Sequence, residues 1–290
     1  MDQINKGIEI VEKGKEKVEE TVKKVYKRIL KAIRTPEMTI LPGNIAYFFF
    51  MSVIPMITLF GLMGAMLPVD IDDVLSTMRD ILPKDVYNII VPFFTNSKWS
   101  LGISFTTFLA FFLASNAPYS IIVASNTLYK FENVSEIKRR IKALLMTFVL
   151  YILMFFIIIV LAFGDSILNL ILNLKVFDGM TQNTVIIVSL IKWPTSIFLI
   201  YLMIKLVYAM APDKRIPSKY VEKGALFTTV LWITATWIFS FYTNYVANYD
   251  MFYGSLSGII VLLLYIYILA YIMVVGIAIN TSYYIEFEKK

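Results

Sequence analysis

"GIIVLLLYIYILAYIMVVGIAI", residues 258–279, runs for 22 residues without a charge. A helix rises about 1.5 Å per residue, so this run covers about 33 Å, enough for a bilayer core of about 30 Å. Lipid offers no partners to backbone polar groups, so a spanning segment of this composition must be a helix. The same pattern recurs along the chain. Six spans are read, at 44–67, 101–125, 143–164, 184–209, 225–247 and 256–280. The predicted fold class is therefore all-α. It is a polytopic membrane helix bundle with six transmembrane helices, several of them proline-kinked, plus an N-terminal amphipathic cytoplasmic helix. The expected organisation is that helix over 1–40, a transmembrane domain over 41–285, and an outer amphipathic segment at 68–100.

The bulk composition agrees. Of 290 residues, 58% are hydrophobic and 17% charged. The mean hydropathy is +0.71. A soluble domain averages about a quarter charged residues. No cleavable signal peptide is expected, because the first 35 residues are polar and charged. There is no cysteine and no histidine. That excludes disulfides, thiolate chemistry, Cys/His zinc sites and a Ser-His-Asp triad. No Walker loop, dinucleotide fingerprint or EF-hand loop occurs, so no cofactor or metal is expected.

The connecting segments set the orientation. Residues 1–42 carry ten basic and seven acidic side chains. The 126–142 loop holds Lys130, Lys138, Arg139, Arg140 and Lys142 against Glu132 and Glu136. The 210–224 loop holds Lys214, Arg215, Lys219 and Lys223 against Asp213 and Glu222. The alternate connections are poor in basic residues. By the positive-inside rule this places the chain in the plasma (inner) membrane with both termini in the cytoplasm. The net charge of +6 is read the same way, and no nucleic acid partner is expected.

Outside the spans, Ile4, Ile8, Val11, Val18, Val22, Val25 and Ile29 fall on a heptad stripe interrupted by Lys15. Two readings stand: an amphipathic helix on the membrane surface, or a coiled coil with a partner. Membrane lipids are the expected contacts, with a homo-oligomer or protein partner meeting residues 4–29. Ile71, Val74, Leu75, Met78 and Leu82 follow helical spacing within 68–100. The tail of span three, "SILNLILNLKVF" at 166–177, is a second candidate for an outer amphipathic piece.

Three spans carry a proline near the middle: Pro55, Pro118 and Pro194. Each removes a backbone donor, and lipid tolerates this only where neighbours or water satisfy the freed carbonyl. Ser52, Ser115, Asn116, Thr195 and Ser196 lie close by. Ordinary kinks and broken helices around a cavity are both open readings. In "LIKWPTSI", 190–197, Ser189, Lys192 and Ser196 share one helical face. A lysine near a helix centre costs at least about 2.5 kcal/mol on insertion scales. Lys192 either snorkels to the headgroups or faces an internal polar cavity, with Asp165 its candidate counter-charge. Lys205 reads as a snorkelling anchor. Thr229, Thr236, Ser240 and Thr243 form a hydroxyl stripe in span five, and "GSLSG" at 254–258 a small-residue pattern, both read as helix packing.

Five motifs then occur in order. They are "NIAYFFFMSVIPMITLFGLMG" with Ala46, Tyr47, Ser52 and Pro55, "VASNTLYKFE" with Asn126 and Tyr129, and "IKWP" in span four. "APDKRIPSKYVEKGALFTTVLW" brings Pro212, Gly224, Ala225 and Trp232. "YGSLSGIIVLLLYIYILAYIMVVGIAIN" brings Tyr253, Gly254, Gly276 and Asn280. Over about 40–285 the chain resembles the YihY/BrkB (UPF0761-type) family of bacterial inner-membrane proteins. Members commonly end in Gly-x-Glu-x-Asn. Here the acidic position is Ala278, so no role of that carboxylate carries over. The family was once labelled ribonuclease BN; the absence of histidine, cysteine and a soluble RNA-holding domain argues against that label.

The function expected is a transporter or exporter, with an anionic or envelope lipid as candidate substrate, the envelope lipid coming from the resemblance. Lys192, Asp165, Asn116, Ser120, Tyr47 and Ser196 are the candidate cavity residues. The alternative is a non-transporting membrane scaffold or regulator acting through the N-terminal helix and basic loops. No catalytic residue is expected. Asp165 and Lys192 are the only ionisable groups well inside the spans besides Lys205 and the tyrosines, too few for an intramembrane enzyme.

Overall fold

In the computed structural model, the described residues are 33–64, 103–131, 135–172, 183–245 and 249–288, with scattered positions within 23–30 and 75–88. All regular structure among them is helical. The helices are α1 Pro36–Gly64, α2 Ile103–Ala114, α3 Asn116–Tyr129, α4 Glu136–Leu172, α5 Asn183–Met210, α6 Ser218–Tyr245, α7 Tyr249–Tyr253 and α8 Ser257–Glu288. A 3-10 turn, Gly254–Leu256, joins α7 to α8. Five stretches are long and apolar enough to cross a membrane: 108–129, 136–157, 193–210, 218–245 and 257–286. The first expected span falls on α1, which has 29 residues. Most of the heptad stripe of 4–29 and of the 68–100 segment lies outside the described residues.

Helix α1 begins eight residues before the expected span. Pro36 occupies its first position, where the missing N–H costs nothing. Glu37 follows, its carboxyl held below the usual range by hydrogen bonds from its own backbone N–H and from Thr35. Helix α4 has 37 residues and passes through Gly164 to Leu172 without a break. The expected separate piece at 166–177 is thus, as far as Leu172, a continuation of the span. A single glycine costs only about 1 kcal/mol in a helix, too little to end one this apolar.

Of the three mid-span prolines, the chain breaks only near Pro118. Pro55 and Pro194 lie inside continuous helices, as does Pro42. The difference lies in the neighbours. Just before Pro118 the Ser115 hydroxyl bonds back to the Phe112 carbonyl and the Asn116 amide oxygen is taken by Arg140, and Pro118 itself sits in the first turn of α3, where proline is tolerated.

Helix α8 lies against α6 and α1, while α4 pairs with α5 and α3 packs on α1. The α6–α8 crossing is the tightest point. A Cβ added to Gly224 would collide with the Gly276 carbonyl and the Asn280 side chain. One added to Gly276 would collide with Thr228 Oγ1 and the Tyr208 hydroxyl. The Tyr208 hydroxyl, fully buried, donates to the Met273 carbonyl (2.9 Å) and lies 2.6 Å from Thr228 Oγ1. Gly224 N–H donates to Asn280 Oδ1 at 2.8 Å. Small residues here let the backbones approach, as membrane helices require. The hydroxyl stripe of α6 mostly bonds back to its own helix: Thr229 to Ala225, Thr236 to Trp232 and Thr243 to Phe239. "GSLSG" corrects the packing expectation at its first residue. Gly254 has φ +52° and open space around its Cβ position. It serves the turn before α8 and not a helix contact.

Candidate functional site

The helix break between α2 and α3 organises the centre of the bundle. Pro118 has no N–H, so the Ala114 carbonyl loses its helical donor. The carbonyls beside it receive side-chain donors. The Ser115 hydroxyl donates to the Phe112 carbonyl at 2.6 Å. Arg140 Nη2–H donates to the same oxygen at 2.9 Å. The Ser52 hydroxyl donates to the Phe48 carbonyl (2.7 Å) and lies 3.4 Å from that of Leu113. Arg140 Nη1–H also donates to Asn116 Oδ1 at 2.8 Å, and its guanidinium lies 3.9 Å from the Phe112 ring centre.

The other end of α3 is held by the neighbouring arginine. Asn126 Oδ1 accepts from Asp213 N–H at 2.8 Å, and Asp213 pairs with Arg139 Nε at 2.8 Å. Lys142 Nζ donates to the carbonyls of Ala211 (3.0 Å) and Pro212 (2.5 Å) and lies 3.4 Å from Asp213. Asp213 is almost fully buried, at 2% side-chain exposure. Arg139 and Arg140 thus tie opposite ends of α3 to the first turns of α4. Lys130 closes α3 in the left-handed region at φ 56°, with Phe131 N–H returning to the Asn126 carbonyl at 2.9 Å. Phe131, Tyr129, Tyr220 and Tyr284 then form an aromatic cluster, with Lys214 above Phe131 and Lys223 above Tyr283. This end of the bundle is basic and aromatic.

Above the break lies an apolar cavity of about 60 Å³ to which all six expected spans contribute. Phe49, Met56 and Leu59 come from α1, and Ala114, Ala117, Pro118 and Ile121 from α2 and α3. Thr147, Leu150, Tyr151 and Met154 come from α4, Met203 and Val207 from α5, Trp232 from α6 and Met273 from α8. A second void of about 50 Å³ shares Phe49, Trp232 and Met273 with it. The Thr147 hydroxyl is spent on the Ala143 carbonyl, and Trp232 Nε1–H on that of Leu269. The lining is thus an apolar surface with four methionines, side chains that adapt to irregular apolar shapes.

The predicted candidates fall out unevenly. Asn116 lies at the break, on Arg140. Pro118 lines the cavity. Ser120 is buried, but its hydroxyl bonds back to Ala117 at 2.6 Å, and it does not line the cavity. Tyr47 is 53% exposed and edge-packed on Phe48, away from the cavity that Phe49 lines. Ser196 is buried, while Trp193 beside it is 58% exposed. The side chains of Lys192 and Asp165, and so their pairing, lie outside the described residues. Lys205 pairs with Glu222 at 2.7 Å. Arg140, Met154, Met203 and Trp232 were not singled out as site residues. Arg140 read as a loop charge because nothing in the sequence marks Glu136 as the start of the helix that carries the third span; methionines in a span look like any other apolar residue. Among the described residues no group of three or more acidic side chains could hold a metal.

Comparison with known proteins sorts these features. The family model described as "Virulence factor BrkB" matches residues 29–290. The chain belongs to the BrkB family. The putative ribonuclease-like protein YfkH of Bacillus subtilis is 29% identical over 242 residues, covering 82% of this chain and 87% of that protein. A UPF0761 membrane protein of Chromobacterium violaceum is 31% identical over 103 residues, 36% of this chain and 24% of that protein. One of Idiomarina loihiensis is 26% identical over 94 residues, 32% of this chain and 33% of that protein. No solved structure matches. The BrkB motif residues have structural work here. Ser52 faces the break, Asn126 holds Asp213, and Gly224, Gly276 and Asn280 make the α6–α8 crossing. The motif residue Trp232 also reaches the cavity.

Proposed function

We propose that this BrkB-family protein moves an amphipathic lipid across the bilayer, as a transporter or exporter. The observation that carries the reading is the methionine-rich apolar cavity at the meeting point of all six spans, beside a proline-broken helix. An acyl chain is the ligand chemistry such a lining accepts. The basic loops support a plasma-membrane orientation with that end and both termini in the cytoplasm. With no nucleotide-binding motif in the chain, movement is passive, ion-coupled or driven by a partner. The Bacillus relative's name includes "ribonuclease-like". A chain without histidine or cysteine offers RNA cleavage little acid–base chemistry, and the lipid reading is favoured over it.

The test is transbilayer flux of a headgroup-labelled fluorescent phospholipid in proteoliposomes. Wild type is expected to raise the rate well above protein-free vesicles, and Ala117→Leu, which grows into the cavity, to lower it at least tenfold. Rates equal to protein-free vesicles overturn the reading. Flux unchanged by Lys192→Ala removes Lys192 from the path. If flux is absent and deletion of residues 1–34 releases a bound protein, the scaffold alternative takes its place.

A further inference from the structure

We propose that Arg140, set into the α2–α3 break, is a subsite for a phosphate-ester anion, filled by the headgroup of an anionic phospholipid whose acyl chain enters the central cavity. This rests on the lipid reading above and names its substrate class.

The guanidinium has five N–H donors in a planar fork. Two are directed to neutral acceptors, the Asn116 amide oxygen and the Phe112 carbonyl. Its Nε is buried without a hydrogen-bond partner among the described residues. Nor does any carboxylate among them pair with it, whereas Arg139 and Lys142 share Asp213 and Lys205 has Glu222. The surroundings are apolar. One face of the guanidinium lies on Phe112, and the apolar Leu113, Ile137 and Ile141, near it in the chain or along the helices, are exposed. A half-buried cation in such a place is costly unless an anion joins it. A phosphate matches the remaining N–H donors of the two Nη atoms, and a headgroup brings one to the ends of the spans.

The register joins this anion site to the cavity. Arg140, Thr147 and Met154 follow one face of α4 at intervals of seven residues, and the last two line the cavity. Arg140 and Thr147 are separated by about 10 Å along the helix. On α2 and α3, Phe112 and Asn116 hold the guanidinium while Ala114, Ala117 and Pro118 line the void. Headgroup and chain sites therefore border the same helix break.

The test is native mass spectrometry of the full-length protein with phosphatidylglycerol and diacylglycerol of identical chains. Wild type is expected to retain phosphatidylglycerol at least tenfold better. Arg140→Gln should lose that preference and keep its diacylglycerol binding, and Arg140→Lys should fall between. Equal retention of the two lipids by wild type overturns the proposal, and so does undiminished phosphatidylglycerol retention by Arg140→Gln. Should Arg140→Gln fail to fold, Arg140→Lys against wild type decides, and undiminished phosphatidylglycerol retention by it overturns the proposal. Inorganic phosphate at millimolar concentration separates the sources. Displacement of phosphatidylglycerol by it assigns the fork to free phosphate and overturns the headgroup assignment; persistence supports it. If Ala117→Leu leaves diacylglycerol retention unchanged, the cavity reading fails while the Arg140 result stands.

Discussion

At Gly224 and Gly276 a single methyl group decides the packing, because the Cβ of alanine would meet backbone and buried side chains of the facing helix. Overpacking of this kind costs about 1–3 kcal/mol. Gly224→Ala and Gly276→Ala should each lower the unfolding temperature in detergent; an unchanged transition would show that the α6–α8 crossing is looser than described. Lys130 offers the opposite sign. It is exposed and holds φ 56°, a conformation costing a side chain about 1 kcal/mol that glycine avoids. Lys130→Gly should raise the unfolding temperature by a few degrees, and a fall would mean that its charge at the end of α3 outweighs the strain. At this scale the sequence was legible as motif and opaque as purpose. Gly224, Gly276, Asn280 and Asn126 stood out, yet their spacing within one helix says nothing of the partner across the crossing. Tyr47 stood out equally and faces away from the cavity.

For elements, α3 carries the most consequence. Its two ends are fastened by Arg139, through Asp213, and by Arg140. Removing one partner of a buried ion pair typically costs about 3–5 kcal/mol, since the other charge is left uncompensated. Asp213→Ala should therefore destabilise the fold more than Glu222→Ala, whose pair with Lys205 is half exposed. Thermal unfolding of the two variants side by side checks this; equal effects would contradict the clasp. The break itself could be read from Ser115, Asn116 and Pro118, because hydroxyl, amide and proline together undo a helix. Pro55 and Pro194 gave the same local signal without the competing side chains immediately before them, and their helices continue. The extra length of α4 was hidden, since helix length beyond the apolar run depends on what its polar ends pack against.

As a whole molecule, the six-span bundle was legible from hydropathy alone, because lipid leaves the backbone so few alternatives. The cavity was not, since it is assembled from one or a few apolar residues on each span and no local pattern marks them. The cysteine-free chain makes the orientation directly testable by single-cysteine labelling. Lys138→Cys should react only from the cytoplasmic side and Met251→Cys only from the outside; the reverse would invert the topology. The most direct measurement on the central cavity is photocrosslinking with a phospholipid carrying a diazirine near the end of one acyl chain, mapped by peptide mass spectrometry. Occupancy predicts adducts on the α4 and α5 peptides at Met154 and Met203, lost in Ala117→Leu. Adducts confined to outward residues such as Phe148, Trp193 and Phe198 would contradict a chain-binding cavity.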